Sequence, residues 1–428
     1  MPFTSIAVDI FFLAAVTIIW GMILYQLVLT IHGYRYRHET ERALADEVRS
    51  DQPMPGVSIL VPARNEAVVI EQTVQRLLAL DYPADRIELI VINDGSTDET
   101  GSILDRVAAK DSRIQLLHLP RAETGHGKAF ALNLGLKKAQ YSMIAVYDAD
   151  NRPEPDSLKK LVVHLMSDSR LGAVLGKFRT LNRGRNLLTR FINVETLGFQ
   201  WIVQAGRYRA FKVAILPGTN CMIRREVLEA LGGWDESAIT EDSELSVRIY
   251  RGGWKIGFVP GAVTWEQEPE TLKAWIRQRT RWVRGTNHVI RKFGKEALGL
   301  KSRMVSLEFV YLFILYYIFL GAIVTSHLLF IFSGLGLLRI SVPGPYTAVW
   351  ISAFFLFLLE LVLILSYEEE DSMKNIGAAA LMYFTYCQLW IYVVFRGMIL
   401  DLTRKRMGIW DKTDRVNMDG MEEESRCD

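Results

Sequence analysis

Long apolar runs bracket a polar middle. From Ile10 to Ile31 the chain carries no charged residue, enough for the ~20 residues that a membrane-spanning helix needs. Further apolar stretches follow the middle, at Val305 to Phe332, Tyr346 to Tyr367 and Ile376 to Leu400. The pattern predicts a transmembrane helix in residues 1–34, a linker at 35–56, a large polar domain, three transmembrane segments within 304–402 and a tail at 403–428. No Lys or Arg precedes Arg35, so the first run lacks the basic start of a signal peptide and is expected to remain as an anchor.

Inside the middle, residues 57–147 alternate short apolar runs with helical patterns: VSILVP, a helix to Leu80, IELIVI, a helix, IQLLHL, a helix from Lys128, and MIAVY. Strand starts recur about every 30 residues and the strands are apolar enough to be buried on both faces, which predicts a parallel, Rossmann-like α/β sheet. In such sheets ligands sit beyond the carboxyl ends of the strands. There the sequence places Ala63, Arg64, Asn65 and Glu66 after the first strand, Asn93 to Ser96 after the second, and Asp148, Ala149 and Asp150 after the fourth.

NDGS is also a good turn, with Ser96 as a helix cap. Asp148 and Asp150, at i and i+2 after a buried run, offer hard oxygen ligands for Mg²⁺ or Mn²⁺, which keeps substrate phosphates among its ligands; the bland alternative is a solvated turn before Pro153. No GxxxxGK[ST] loop or GxGxxG fingerprint follows the first strand, which counts against kinases, ATPases and dehydrogenases. GHGKA, at Gly125 to Ala129, puts one Lys on a Gly-flanked helix start suited to phosphate. Later come ITEDSEL, with Glu241 and Asp242 before an amphipathic helix, and QRTRW, whose Gln278, Arg281 and Trp282 share one helix face. That helix carries an apolar stripe of Leu272, Trp275, Ile276, Trp282, Val283, Val289 and Ile290 with basic residues elsewhere, the composition of a helix on a membrane surface or of an ordinary basic surface helix.

Charge then sets the orientation. The 428 residues are 50% hydrophobic with net charge +2 and mean hydropathy +0.13, which excludes disordered and fibrous classes and gives no global basic field for nucleic acid. Locally, Arg35, Arg37 and His38 follow the first span, and ten Lys or Arg against two acidic residues lie between Glu270 and Arg303. The positive-inside rule puts the middle domain in the cytoplasm. Three C-terminal spans would leave Arg404, Lys405 and Arg406 outside, so either the rule is broken there or one segment does not cross. Cys221, Cys387 and Cys427 are too scattered for a disulfide framework or zinc site.

VPARNE, VINDGS, DAD, TED and QRTRW, in that order over about residues 57–290, resemble the membrane-integrated family 2 glycosyltransferases that make cellulose, chitin, hyaluronan and poly-N-acetylglucosamine. The layout is most similar to the smaller bacterial members, and WDKTDR near Trp410 is faintly similar to the tail of poly-N-acetylglucosamine synthases. The resemblance implies a GT-A fold at 57–265 between transmembrane helices, amphipathic interface helices with the QxxRW motif at 266–303, and a multi-pass protein of the bacterial cytoplasmic membrane. It implies that Asp94, with Pro62, Arg64 and Glu66, holds the uridine of a UDP-sugar (glucose or N-acetylhexosamine), aided by Lys128. Asp148 and Asp150 would hold the metal, and Asp242, beside Glu241, would be the general base. Gln278 and Arg281 would grip the pyrophosphate, and Gly218, Thr219, Asn220 and Trp282 would meet the glycan acceptor.

The chemistry itself asks for such a set. Expelling a nucleoside diphosphate from a sugar needs charge stabilisation on the leaving phosphate, and the incoming hydroxyl needs a base. In-line attack then converts an α-linked donor into a β-linked product. The reading is a processive, inverting synthase that exports its polysaccharide; transfer of one sugar to a membrane lipid is the alternative, and an inactive scaffold is a third. Glu308 and Glu360 face either a polar translocation path or a packing partner, and Tyr311, Tyr316 and Tyr317 suit a glycan channel or an interfacial belt. Control would come through an accessory subunit.

Overall fold

The computed structural model describes residues 5–48, 53–120, 125–298 and 303–403. Arg404 to Arg406, WDKTDR and Cys427 lie outside the described residues, as does the Glu308 side chain. Eight strands build one sheet: β1 (Val57–Ala63), β2 (Ile87–Asn93), β3 (Ile114–His118), β4 (Met143–Val146), β5 (Arg152–Pro153), β6 (Leu171–Thr180), β7 (Cys221–Arg224) and β8 (Lys255–Glu266), in the order β3-β2-β1-β4-β7-β6-β8-β5. The first half is the predicted parallel βαβ sheet, with β1 between β2 and β4. Beyond β4 the order turns mixed, because β7 runs antiparallel to both β4 and β6.

β1 is buried along its whole length, so it needs an apolar layer on each face. One layer includes the helix Ile70–Leu78, whose Ile70, Thr73, Val74 and Leu77 are buried at helical spacing. The other holds the helices Lys128–Lys138 and Leu187–Gly198 and continues without a break into the apolar helices at both ends of the described chain.

The N-terminal helix, Ile6–Val48, has 43 residues, about 65 Å at 1.5 Å per residue and twice a bilayer core. Its second half stands against the sheet domain. The Tyr36 hydroxyl donates to the Phe258 carbonyl in β8 (2.6 Å). A Cβ at Gly33 would lie 2.3 Å from the Trp201 carbonyl oxygen, and one at Gly206 2.4 Å from that of Leu29. Small residues thus let this helix cross the π-helical turn Phe199–Gly206 with backbones nearly touching.

Three described helices are long and apolar enough to cross a membrane: Ile6–Thr40, Phe309–Gly334 and Tyr346–Tyr367. The last predicted stretch forms a pair, Met373–Phe384 and Tyr386–Leu402, bent by 44°, which makes a fourth if the pair is one broken span. Both of its ends bond to the sheet domain or to the helix Leu272–Leu298 that follows it. At the start, Arg190 donates to Asn375 Oδ1 (2.5 Å); at the end, Asp401 accepts from Arg284 (2.7 Å) and Asn287 (2.8 Å). The turn before the pair is fixed likewise, Glu368 taking Lys177 Nζ (2.7 Å) and Trp201 Nε1 (2.8 Å) and Glu370 taking Arg179 (2.5 Å) and Asn193 (2.6 Å). Within the apolar helix Tyr346–Tyr367, Glu360 is buried and accepts from the Thr30 hydroxyl at 2.9 Å, a packing contact with the first helix. Tyr311 lies under the Arg207 guanidinium (4.1 Å) and Tyr317 donates to Asn287 (2.5 Å), while Tyr316 packs edge-on near Trp390.

Candidate active site

The carboxyl ends of β1, β2 and β4 lie side by side, since Ala63 pairs with Asn93 and Leu60 with Val146. Asp94, which follows β2, is buried; its Oδ1 accepts the Gly125 amide at 2.9 Å, and its Oδ2 lies 3.4 Å from Arg64. Burial raises its pKa, against the pull of the Gly125 amide and Arg64. Ser96 does not cap the next helix. Its Oγ accepts the Asn65 amide (2.9 Å) and so ties the two turns together, while the helix begins at Thr100, whose amide donates to Asp98 (3.0 Å). Asn65 and Gly95 both adopt positive φ, 54° and 59°, as such tight turns require. Pro62 is buried within β1, and Glu66 lies in the turn before the helix Ile70–Leu78, its carbonyl accepting the Ile70 amide at 2.9 Å.

Lys128, first residue of its helix, is the hub of the centre. Its ammonium donates to Asp148 Oδ1 (2.5 Å) and to the Gly218 carbonyl (2.8 Å) and lies 3.8 Å from Glu241. Burial alone would lower its pKa; Asp148, Glu241 and Asp242 together raise it. The Asp148 amide donates to Thr219 Oγ1 (3.0 Å), and Thr219 also bonds the Asn151 side chain. Gly218 has φ +81° and a Cβ there would come 2.7 Å from Asp242 Oδ2, so backbone and carboxylate can meet only at glycine. Asn220 is fully buried and braces the sheet, its amide donating to the carbonyls of Lys177 (3.0 Å) and Ala262 (2.9 Å).

Glu241 and Asp242 open the helix Glu241–Arg251, and Asp242 accepts the Ser243 amide (2.6 Å). Burial pushes the Asp242 carboxyl up to about 6 and the Glu241 charge adds to it, while Lys128, the Ser243 amide and Arg281 oppose. QRTRW reaches this group because Gly285, one turn on, presses against Thr240: a Cβ there would lie 2.3 Å from Thr240 Cγ2. Trp275, Val283 and Val289 of the stripe are buried, with Val283 against Gly397 of the last helix. Trp282 stays 36% exposed.

Sequence reasoning missed Arg279, Glu195 and the Glu368–Glu370 turn. Arg279 could have been found, since it falls inside the apolar stripe, four residues from Trp275 and from Val283, where a charge demands a partner. For a divalent metal, Asp148 and buried Asp150 supply hard carboxylate oxygens at the sheet edge. Among the described residues no group of three or more His, Cys, Asp or Glu is placed to hold a metal ion by itself.

The family model described as glycosyltransferase like family 2 matches residues 55–285, more than half of the chain. The probable glycosyltransferase YdaM of Bacillus subtilis is 42% identical over 410 residues, 95% of this chain and 98% of that one. The poly-beta-1,6-N-acetyl-D-glucosamine synthase of Staphylococcus epidermidis is 26% identical over 93% and 96%. The beta-monoglucosyldiacylglycerol synthase of Synechocystis is 33% identical over 55% and 49%. A mannosyltransferase from Pyrobaculum calidifontis, solved with GDP-mannose and Mn²⁺, shares the fold with a TM-score of 0.54 at 22% identity, covering 85% of this chain and 99% of that one. The chain therefore belongs to the family 2 glycosyltransferases: it is a hexosyltransferase of GT-A fold that takes its sugar from a nucleotide sugar.

Proposed function

We propose that the protein is an inverting, metal-dependent synthase that extends a β-linked polysaccharide from a UDP-sugar at the cytoplasmic face of a bacterial plasma membrane and passes the chain outward. The observation that carries this reading is the convergence at one sheet edge of Asp148, Lys128, Glu241 and Asp242, closed by the QRTRW helix at the Gly285–Thr240 contact. Asp94 and Arg64, with Pro62 and Glu66 beside them, would hold the uridine. Asp148 and Asp150 would hold Mg²⁺ or Mn²⁺, which supplies Lewis-acid stabilisation of the departing diphosphate. Asp242 takes the proton of the acceptor hydroxyl as its oxygen bonds to the anomeric carbon. The bond from that carbon to the diphosphate breaks with its electron pair on the phosphate oxygen, toward Lys128, Gln278 and Arg281. Trp282, whose flat face suits the apolar side of a pyranose, would carry the acceptor beside Gly218 and Thr219.

The full-length relation to a poly-N-acetylglucosamine synthase supports polymer over glycolipid; the partial one to a glucolipid synthase supports the second reading. Sidedness is supported by the anchored ends of the bent pair. Because Asn375 and Asp401 both bond on the domain side, the pair reads as lying along the membrane surface after three crossings. The basic tail start then falls on the cytoplasmic side, and the conflict with the positive-inside rule disappears. The test is incubation of membranes holding the protein with labelled UDP-glucose or UDP-N-acetylhexosamines and Mg²⁺, with and without chelator. High-mass glycan cut by one β-glycosidase, lost on chelation, supports the synthase. A chloroform-soluble monoglycosylated lipid overturns it in favour of the lipid acceptor.

A further inference from the structure

Arg279 lies in the middle of QRTRW, yet its side chain is only 1% exposed. The guanidinium bonds to Glu195 Oε2 through Nη2 (2.5 Å) and Nε (3.2 Å) and donates from Nη1 to Gln278 Oε1 (2.6 Å). Its central carbon lies 3.9 Å from the centroid of the Trp282 ring. Glu195 also accepts from Trp390 Nε1 (2.7 Å) and the Tyr386 hydroxyl (2.8 Å), and that hydroxyl accepts from Trp275 Nε1 (2.8 Å). Tyr386 is the first residue after the 44° bend.

So enclosed a cation makes a poor diphosphate ligand, but it touches two side chains of the motif. By engaging Gln278 Oε1 it leaves the amide NH₂ as the free end of that side chain, the end able to donate to a phosphate oxygen. By covering one face of Trp282 with a cation, it leaves the other face for a sugar. We propose that Arg279 and Glu195 are positioning residues for sugar transfer. They fix the Gln278 amide and the Trp282 ring, and Tyr386 and Trp390 tie that setting to the bend in the last apolar segment. The inference rests on the roles proposed above for Gln278 and Trp282.

The test uses the full chain in membranes. Removing Glu195 alone would strand a buried charge and unfold the site, so the informative variants are the double Glu195→Gln/Arg279→Met, which removes both charges, and Arg279→Lys, which keeps the charge without the planar fork. Turnover is measured on whatever product the wild type makes, beside UDP affinity and thermal midpoint. The expected result is turnover about 10²-fold lower in both variants, the scale of a 1 Å misplacement, with UDP affinity lowered by a much smaller factor, since one donor to the diphosphate is misaimed, an unchanged thermal midpoint and shorter glycan. Turnover near wild type in the double variant, or UDP affinity falling in step with turnover, overturns the proposal. If the double variant does not fold, Arg279→Lys decides by the same split. Failure of the polysaccharide reading shows separately, in the identity of the wild-type product.

Discussion

At the edge of β1, β2 and β4, polar groups are held by turns and backbone amides: Asp94 by Gly125, Asn65 by Ser96, Asp148 by Thr219. At the QRTRW end the corresponding work falls to charges borrowed from distant segments. Arg279 leans on Glu195, 84 residues away, and Asp401 reaches back 117 residues to Arg284. A backbone-held site tolerates change around it because its partners come with the strand ends. A site held by remote ion pairs fails when either partner is lost, since the survivor stays buried without compensation.

The contrast can be broken by mutation. The largest effect is expected at the point where both ends meet: Asp242→Asn should lower turnover about 10²–10⁴-fold with an unchanged thermal midpoint, read by labelled-sugar incorporation, and near-normal turnover would remove Asp242 as the base. Next, Glu368→Ala should cost about 3–5 kcal/mol by leaving Lys177 buried and unpaired, seen as a lower midpoint in detergent; a shift no larger than that of an exposed carboxylate would mean the remote ion pairs are dispensable. Gly285→Ala, which forces a methyl into Thr240, should cost about 1–3 kcal/mol and lower turnover, while UDP affinity at the backbone-held end stays constant. Smallest is the pH response. With Asp242 raised to about 6, the base is lost to protonation as pH falls through that value, so kcat/KM should drop about tenfold per unit below it. An acid limb that vanishes in Asp242→Asn would assign it.

The same division explains what could be read from sequence. The strands β1 to β4, the helix start at Lys128 and the groups after each strand follow from local periodicity, which depends on neighbours only. The mixed half of the sheet did not announce itself, because β7 is four residues long and pairs across β4 and β6. For the last apolar run, the charge pattern raised a segment that does not cross, but the 44° bend and the partners of Asn375 and Asp401 lie beyond local periodicity. Glu195 sits in FINVETLGF, an apolar stretch in which one carboxylate gives no hint of an arginine far along the chain.

The Glu368–Glu370 turn has a consequence for biogenesis. Lys177 and Arg179 leave the ribosome nearly two hundred residues before the carboxylates that neutralise them. Until the helix Tyr346–Tyr367 and the turn after it have been made and packed, this face of the nascent domain keeps raw positive charge beside Trp201. Maturation of the domain therefore waits on its C-terminal helices, and a fragment cut out at residues 53–298 would lack the carboxylates that complete this face.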